Sequence, residues 1–372
     1  MYLSFEKLTK RYGPVTALQE VCFSVERSQF VSVLGPSGCG KTTTLMLLAG
    51  FEQPSSGRIL LEGKDLAGLP PEKREVGVVF QHYALFPHMT VAENIAFGLM
   101  HGVDRRLPHS EAMERVHQLL DMIDLASLGQ RRPAELSAGQ QQRVAIARSL
   151  APQPRVLCLD EPLSALDALL RERLRLEIRR LQRKLGLTVL YVTHDQEEAL
   201  AISDRVVVMN QGKVLQVGTP WEVYDRPANG FVAGFIGKGS LLEAVLVSTG
   251  PHIVSRLANG QMLELPSHTW CGPSLPRPGD RLGVMLRSER VEVTVPKDTA
   301  ESGSTDQQLQ LLGRLEEVEF LGAHSRLQIS GPSGAMVATA PAADAAAWQA
   351  RIGSQVALTC RSDDVRLMPW VN

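Results

Sequence analysis

The 372-residue chain has no apolar run long enough to cross a membrane as a helix. Residues 1–10 have no apolar core of the kind a secretory leader needs, so a soluble chain is expected. Charge of one sign is also missing: 39 Lys and Arg stand against 40 Asp and Glu, a net charge of -1. That balance argues against a general nucleic-acid binder, which carries a basic excess. Cysteine is scarce. Cys22, Cys39, Cys158, Cys271 and Cys360 are scattered and form no C-x-x-C pair. Neither a disulfide framework nor a zinc site is expected, and a reducing cytoplasm is.

What is present is a glycine loop. Gly35-Pro36-Ser37-Gly38-Cys39-Gly40-Lys41-Thr42 fits G-x-x-x-x-G-K-[ST], the phosphate-cradling pattern. Residues 30–34 before it read as a buried parallel strand, and residues 43–49 after it as a helix that stops at Gly50. A triphosphate needs many donors and a positive field. Glycines let backbone N–H groups turn inward, and the helix start adds the positive end of its dipole. Lys41 then reaches the outer phosphates, and the Thr42 hydroxyl holds Mg²⁺. A chance glycine turn does not account for the flanking strand and helix. Cys39 inside the loop is either an oxidation target or a small residue that fits.

The rest of the chain extends an α/β pattern. Residues 3–8, 18–25, 57–63 and 76–80 read as strands. Tyr12, beside Gly13, is either a ring for stacking on a flat base or a surface tyrosine. Gln81 follows a buried strand, where a neutral amide can bind Mg²⁺ or the attacking water. From about 87 to 154 the pattern is helical, with helices expected over 90–99 and 110–123 and Ser110 as an N-cap. Leu85, Phe86 and Met89 belong either to the core or to a docking face. The stretch Leu136-Ser137-Ala138-Gly139-Gln140 opens a helix and reads as a second anion site or as a capped helix start. The polar run 140–143 resists the cap reading alone.

Residues 156–159 form an apolar strand that ends in Asp160-Glu161. Ligands of α/β sheets bind at the carboxyl ends of strands. There Asp160 would hold Mg²⁺ through water and Glu161 would polarise the attacking water. Ser164-Ala165-Leu166-Asp167 follows and starts a helix over 168–185, whose charge run reads as a solvated face with i,i+4 pairs. The strand 188–192 ends in Thr193-His194-Asp195, where a histidine can sense a terminal phosphate.

In this order the motifs resemble the ATP-binding-cassette ATPases over residues 1 to about 236. Gly35 to Thr42 is similar to the family's Walker A loop, Gln81 to its Q-loop glutamine, and Leu136 to Gln140 to its signature. Asp160 and Glu161 resemble the Walker B pair, Ser164 to Asp167 the D-loop, His194 the switch histidine, and Tyr12 the adenine-stacking aromatic. One departure is Ala138, which replaces the first glycine of the usual L-S-G-G-Q; Gly139 is kept. The resemblance implies ATP and Mg²⁺ as cofactors. It implies catalytic roles for Glu161, His194, Gln81 and Lys41 and metal contacts from Thr42, Gln81 and Asp160. Nucleotide contacts are implied for Tyr12, Gly35, Pro36, Ser37, Gly38, Cys39, Gly40, Lys41, Thr42, Thr43, Ser137, Gly139, Gln140 and Asp167. It further implies a head-to-tail homodimer with two composite sites, and docking of residues 81–99 on membrane subunits.

After residue 236 the composition changes to short alternating strands, with a polar loop at 296–308 and a helix at 342–351. Residues 237–372 resemble the β-barrel-like (OB-like), TOBE-type domain of bacterial importer ATPases. Met285-Leu286-Arg287-Ser288-Glu289 resembles that domain's R-P-E stretch, with Ser288 in the proline's place. The expected fold class is thus an α/β P-loop NTPase with a helical subdomain, followed by a small β-rich domain for dimerisation or regulation. The layout implies an ATPase of a binding-protein-dependent importer, peripheral on the cytoplasmic face of the inner membrane. Its implied partners are two permease subunits and, indirectly, a periplasmic or extracellular solute-binding protein, with no nucleic acid. Ferric iron or polyamine is favoured as solute over phosphonate or sulfate. The alternatives are a soluble cassette ATPase acting on nucleic acid or ribosomes, and a nucleotide-sensing regulator.

Overall fold

The computed structural model describes residues 1–101, 107–164, 166–296, 303–304 and 308–370. Contacts divide the chain into two units, Met1–Pro220 and Trp221–Asn372, a division that falls before the change at 236 expected from composition.

Unit 1 holds two sheets. β1 (Leu3–Tyr12), β2 (Val15–Val25), β4 (Ser56–Leu61) and β5 (Lys64–Asp65) make an antiparallel sheet in the order β2-β1-β4-β5. The central sheet has the order β10-β9-β3-β8-β7-β6, from β3 (Phe30–Leu34), β6 (Val76–Val79), β7 (Val156–Asp160), β8 (Thr188–Thr193), β9 (Arg205–Asn210) and β10 (Lys213–Gly218). β9, β3, β8, β7 and β6 pair in parallel, and β10 returns antiparallel on β9. Every residue of β3, β7 and β8 is buried. A parallel sheet covered on both faces needs such unbroken apolar runs, which is why these strands were legible.

α1 (Lys41–Ala49) follows β3 and stops at Gly50, whose φ of 88° suits glycine. Arg74 is 2% exposed and seals that helix end, donating to the carbonyls of Leu47 and Leu48, where a cation opposes the negative end of the dipole. Between β6 and β7 lie α2 (Val91–His101), α3 (His109–Met122) and α4 (Ala138–Leu150). Ser110 is not the cap of α3. The helix begins one residue earlier, after Pro108, which presets the extended backbone of the cap position without a side-chain bond. Leu85, Phe86 and Met89 are half-buried: Leu85 packs on the helical core, and the Phe86 ring stands 4.5 Å from Phe97.

α5 (Ala168–Leu185) and α6 (Gln196–Ile202) flank β8. The charge run on α5 is largely solvated, with Glu172, Arg173, Arg180, Arg183 and Lys184 exposed, but two of its arginines reach other elements. Arg171 reaches Asp195 on the far side of β8, and Arg179 forks onto Asp204, whose other bond holds the Phe30 N–H. A planar guanidinium suits such bidentate links across elements.

Unit 2 contains an antiparallel sheet of Met262–Pro266, His252–Leu257, Gly239–Ser248, Arg281–Arg287 and Arg366–Pro369, in that order. A second runs Glu292–Thr294, Gln355–Arg361, Gln308–Phe320, His324–Gly331 and Gly334–Pro341, with Gly303–Ser304 added to Gln308–Phe320. Both close on one apolar core. Alternation in the sequence predicts strands over 241–247, 283–286, 291–295, 315–320, 326–329 and 356–358; five strands, 252–257, 262–266, 303–304, 334–341 and 366–369, were not anticipated. In 334–341 the buried face is Met336, Ala338 and Ala340, and alanine gives a weak strand signal. The expected helix at 342–351 shortens to a tight turn and Ala345–Gln349. Most of the expected loop at 296–308, and Ala165 of the 164–167 segment, lie outside the described residues.

Candidate nucleotide site

Because β3, β8, β7 and β6 are parallel neighbours, their carboxyl ends share one edge of the sheet. That edge receives the glycine loop, His194, Asp160 with Glu161, and Gln81. Four segments distant in sequence thus converge where α/β sheets bind ligands.

The loop's shape follows from its glycines. A Cβ on Gly35 would meet the Met209 carbonyl oxygen at 2.3 Å, and Gly40 sits at φ 104°. Lys41 is 5% exposed, and its ammonium donates to the carbonyls of Gly35 and Pro36 at 2.9 and 3.1 Å. Its charge is therefore held within the loop rather than in solvent. Ser37 and Gly38 are exposed at the loop's crest, and Thr43 is half-buried on the first turn of α1. Cys39 is buried, and burial pushes its thiol pKa up, so it is a protonated packing residue rather than a reactive thiol.

Asp160 accepts from the Thr42 hydroxyl at 3.1 Å. Burial raises the Asp160 carboxyl above its ordinary range, and the Thr42 bond opposes that shift. Among the described residues no group of three or more His, Cys, Asp or Glu could hold a metal ion. A hydroxyl beside one carboxylate is instead the donor set of a hard ion that keeps waters and phosphate oxygens as its other ligands, which fits Mg²⁺.

Glu161 has φ 44°, a left-handed conformation costly for a non-glycine residue, and its N–H donates to the Val192 carbonyl at 2.9 Å. Its carboxylate meets His194, whose Nδ1 lies 3.0 Å from Glu161 Oε2. Gln81 Nε2 donates to Ser164 Oγ at 3.2 Å, and Ser164 Oγ donates to the Glu161 carbonyl at 2.9 Å. Gln81 and Glu161 are therefore joined through one hydroxyl.

The other expected residues stand elsewhere in the unit. Ser137 caps α4 through the Gln140 N–H, and Gln140 returns a bond to the Ser137 N–H at 3.0 Å, a capping box. The polar run that resisted the cap reading is used internally. Gln141 bonds the carbonyls of Pro133 and Leu136, Gln142 is fully buried, and Arg143 pairs with Glu177. Gly139 packs on α5, where a Cβ would meet Leu170 at 3.3 Å, whereas Ala138 faces solvent. Asp167 caps α5 through the Leu170 N–H. Tyr12 ends β1, 45% exposed, with the Lys10 ammonium 4.8 Å from its ring centre.

Sequence reasoning missed several supporting residues. Asn94, fully buried, bonds the Phe86 N–H and the carbonyls of Phe86, Met89 and Thr90, fixing the loop after Gln81. Arg148 donates to the carbonyls of Tyr83 and Ala84, both at positive φ. Glu198 is a buried carboxylate on α6. The one signal available was a polar residue at a helical core position.

Comparison with known proteins identifies the family of the chain. The ABC transporter family matches residues 18–164 and the TOBE domain matches residues 284–368. The chain is 47% identical to the spermidine/putrescine import ATP-binding protein PotA of Mesorhizobium japonicum, over 87% of this chain and 84% of that one. It is 53% identical to the Fe(3+) ions import ATP-binding protein FbpC of Brucella abortus, over 66% and 69% respectively. Among solved structures, a dimeric ATP-binding cassette in a post-hydrolysis state bound to ADP and Pi aligns with TM-score 0.52 and 30% identity, over 59% of this chain and 98% of that one. The cassette cbiO1 of Clostridium perfringens, part of an ABC transporter complex, aligns with TM-score 0.55 and 34% identity, over 60% and 90%. The chain belongs to the ABC transporter family, as an import ATP-binding ATPase with a C-terminal TOBE domain.

Proposed function

We propose that this ATPase energises a bacterial importer of polyamine or ferric iron, working as a head-to-tail homodimer on two integral-membrane permease subunits. The observation that carries the reading is the convergence at one sheet edge of the Lys41 loop, the Thr42–Asp160 pair, the Glu161–His194 contact and the Gln81–Ser164 link. ATP would lie on the glycine loop, with its γ-phosphate toward Lys41 and its base against Tyr12. Mg²⁺, bound by Thr42 and through water by Asp160, would neutralise phosphate charge. Glu161 would accept a proton from the attacking water while His194 and Gln81 orient the water and the γ-phosphate. Ser137, Gly139, Gln140 and Asp167 would complete the site of the opposite copy, so that loss of the γ-phosphate releases the two copies. The loop fixed by Asn94 and Arg148 would rest on the permeases, placing the chain on the cytoplasmic face of the inner membrane. A solute-binding protein outside the membrane would deliver cargo.

The test is uptake of labelled putrescine, spermidine, ferric iron, sulfate and a phosphonate by cells carrying wild type or Lys41→Ala. Loss of polyamine or iron uptake alone supports the proposal and names the solute. Wild-type uptake of all five contradicts it.

A further inference from the structure

We propose that Glu198 and Arg171 form a clamp that positions His194 and ties it to Leu166, just before α5. The inference rests on the role proposed above for His194. That side chain is half-exposed, so its aim depends on the backbone either side of it. Thr193, before it, donates through its hydroxyl to Glu198 Oε2 at 2.8 Å and accepts from the Asp195 N–H at 3.0 Å. Asp195, after it, accepts from the N–H groups of Glu197 and Glu198. Tyr191 OH adds a second strand-side bond to Glu198 Oε2, at 2.8 Å.

Arg171 closes the arrangement from α5. One nitrogen lies 3.4 Å from Asp195, another 3.8 Å from Glu198 Oε1, and a third donates to the Leu166 carbonyl at 2.9 Å. One carboxylate thus gathers the exit of β8, and one guanidinium joins that exit to the turn that precedes α5.

Packing alone does not call for this chemistry. Glu198 is 3% exposed, and burial raises its carboxyl pKa despite the hydroxyl donors and Arg171. Arg171 is 32% exposed, and a partly buried ion pair of this kind is a weak source of stability, whereas a use attested for such pairs is to specify one geometry. The geometry specified here is that of the residue between Thr193 and Asp195. Misplacing a reacting group by about 1 Å costs up to about 10²-fold in rate.

The experiment measures steady-state and single-turnover ATP hydrolysis by the full chain as Glu198→Gln, Arg171→Lys and His194→Ala, and as Glu198→Gln with His194→Ala. Glutamine keeps the volume and an acceptor for Tyr191 and Thr193 but loses the charge facing Arg171. Expected for Glu198→Gln are a kcat about tenfold lower, a KM for ATP within about twofold, and a melting temperature no lower than wild type. Arg171→Lys lowers kcat in the same way. In the His194→Ala background, Glu198→Gln adds no further loss, because residues acting through one group are non-additive. Wild-type kcat in both clamp variants, or full multiplication of the losses, overturns the clamp. Wild-type hydrolysis by His194→Ala overturns the role of His194 and the clamp with it, an outcome separate from failure of the clamp alone.

Discussion

Asp225 illustrates at the residue scale how a buried charge is kept ionised. Burial works against its carboxylate, but bonds to Arg366 and Arg290 outweigh burial and hold its pKa below the usual range. A depressed carboxylate contributes stability that is present above its unfolded value, about 3.9, and is lost as pH falls through the lower folded value. Asp225→Asn should therefore cost about 1.5–3 kcal/mol at pH 7 in urea unfolding, and the gap to wild type should close below about pH 3.9. An undiminished gap at pH 2 would mean that the pairing is not electrostatic. The residues that meet at the sheet edge were legible because each lies in a short contiguous motif at the end of a strand of the central sheet. Glu198 and Arg171 were not, since their meaning lies in bonds between α5, β8 and α6. Arg171 was hidden in a run that reads equally well as solvated.

At the scale of elements, α4 shows how one short stretch serves its own helix. Its start is satisfied by the Ser137–Gln140 capping box, and Ala138 is exposed. Ala138→Gly should lower stability by at most about 1 kcal/mol and change ATP turnover by less than about threefold. A tenfold faster enzyme would show that the departure from L-S-G-G-Q limits the reaction. Asn94 acts on a loop instead. Asn94→Ala strands three carbonyls and one N–H that it bonds. It should cost about 2–4 kcal/mol and speed proteolytic cleavage within 82–90; unchanged cleavage would contradict its role as the loop's anchor. In unit 1, β3, β7 and β8 were legible from unbroken apolar runs, whereas the two-residue β5 was not. The cap of α3 was not, because Pro108 sets backbone geometry without offering a side-chain bond.

The whole molecule is two units, each with its own apolar core. Separate cores predict two thermal transitions. ATP with Mg²⁺ at about 100 times Kd should stabilise unit 1 by about 2.7 kcal/mol, visible in calorimetry as a shift of one transition. A scan in which nucleotide moves nothing would contradict the placement of the site. Domain class was legible in the tail while half its pairing was not, because strands faced with alanine and serine carry little periodic signal. The role proposed for Glu161, whose Oε2 lies 3.0 Å from His194 Nδ1, is that of the base that activates water. It is tested most directly by ATP binding, ATP-dependent dimerisation and turnover of Glu161→Gln beside wild type. The account predicts retained ATP binding, a dimer that persists in ATP, and turnover about 10²–10⁴-fold lower. Near-wild-type turnover with Mg²⁺ present would contradict it and remove Glu161 from the reaction.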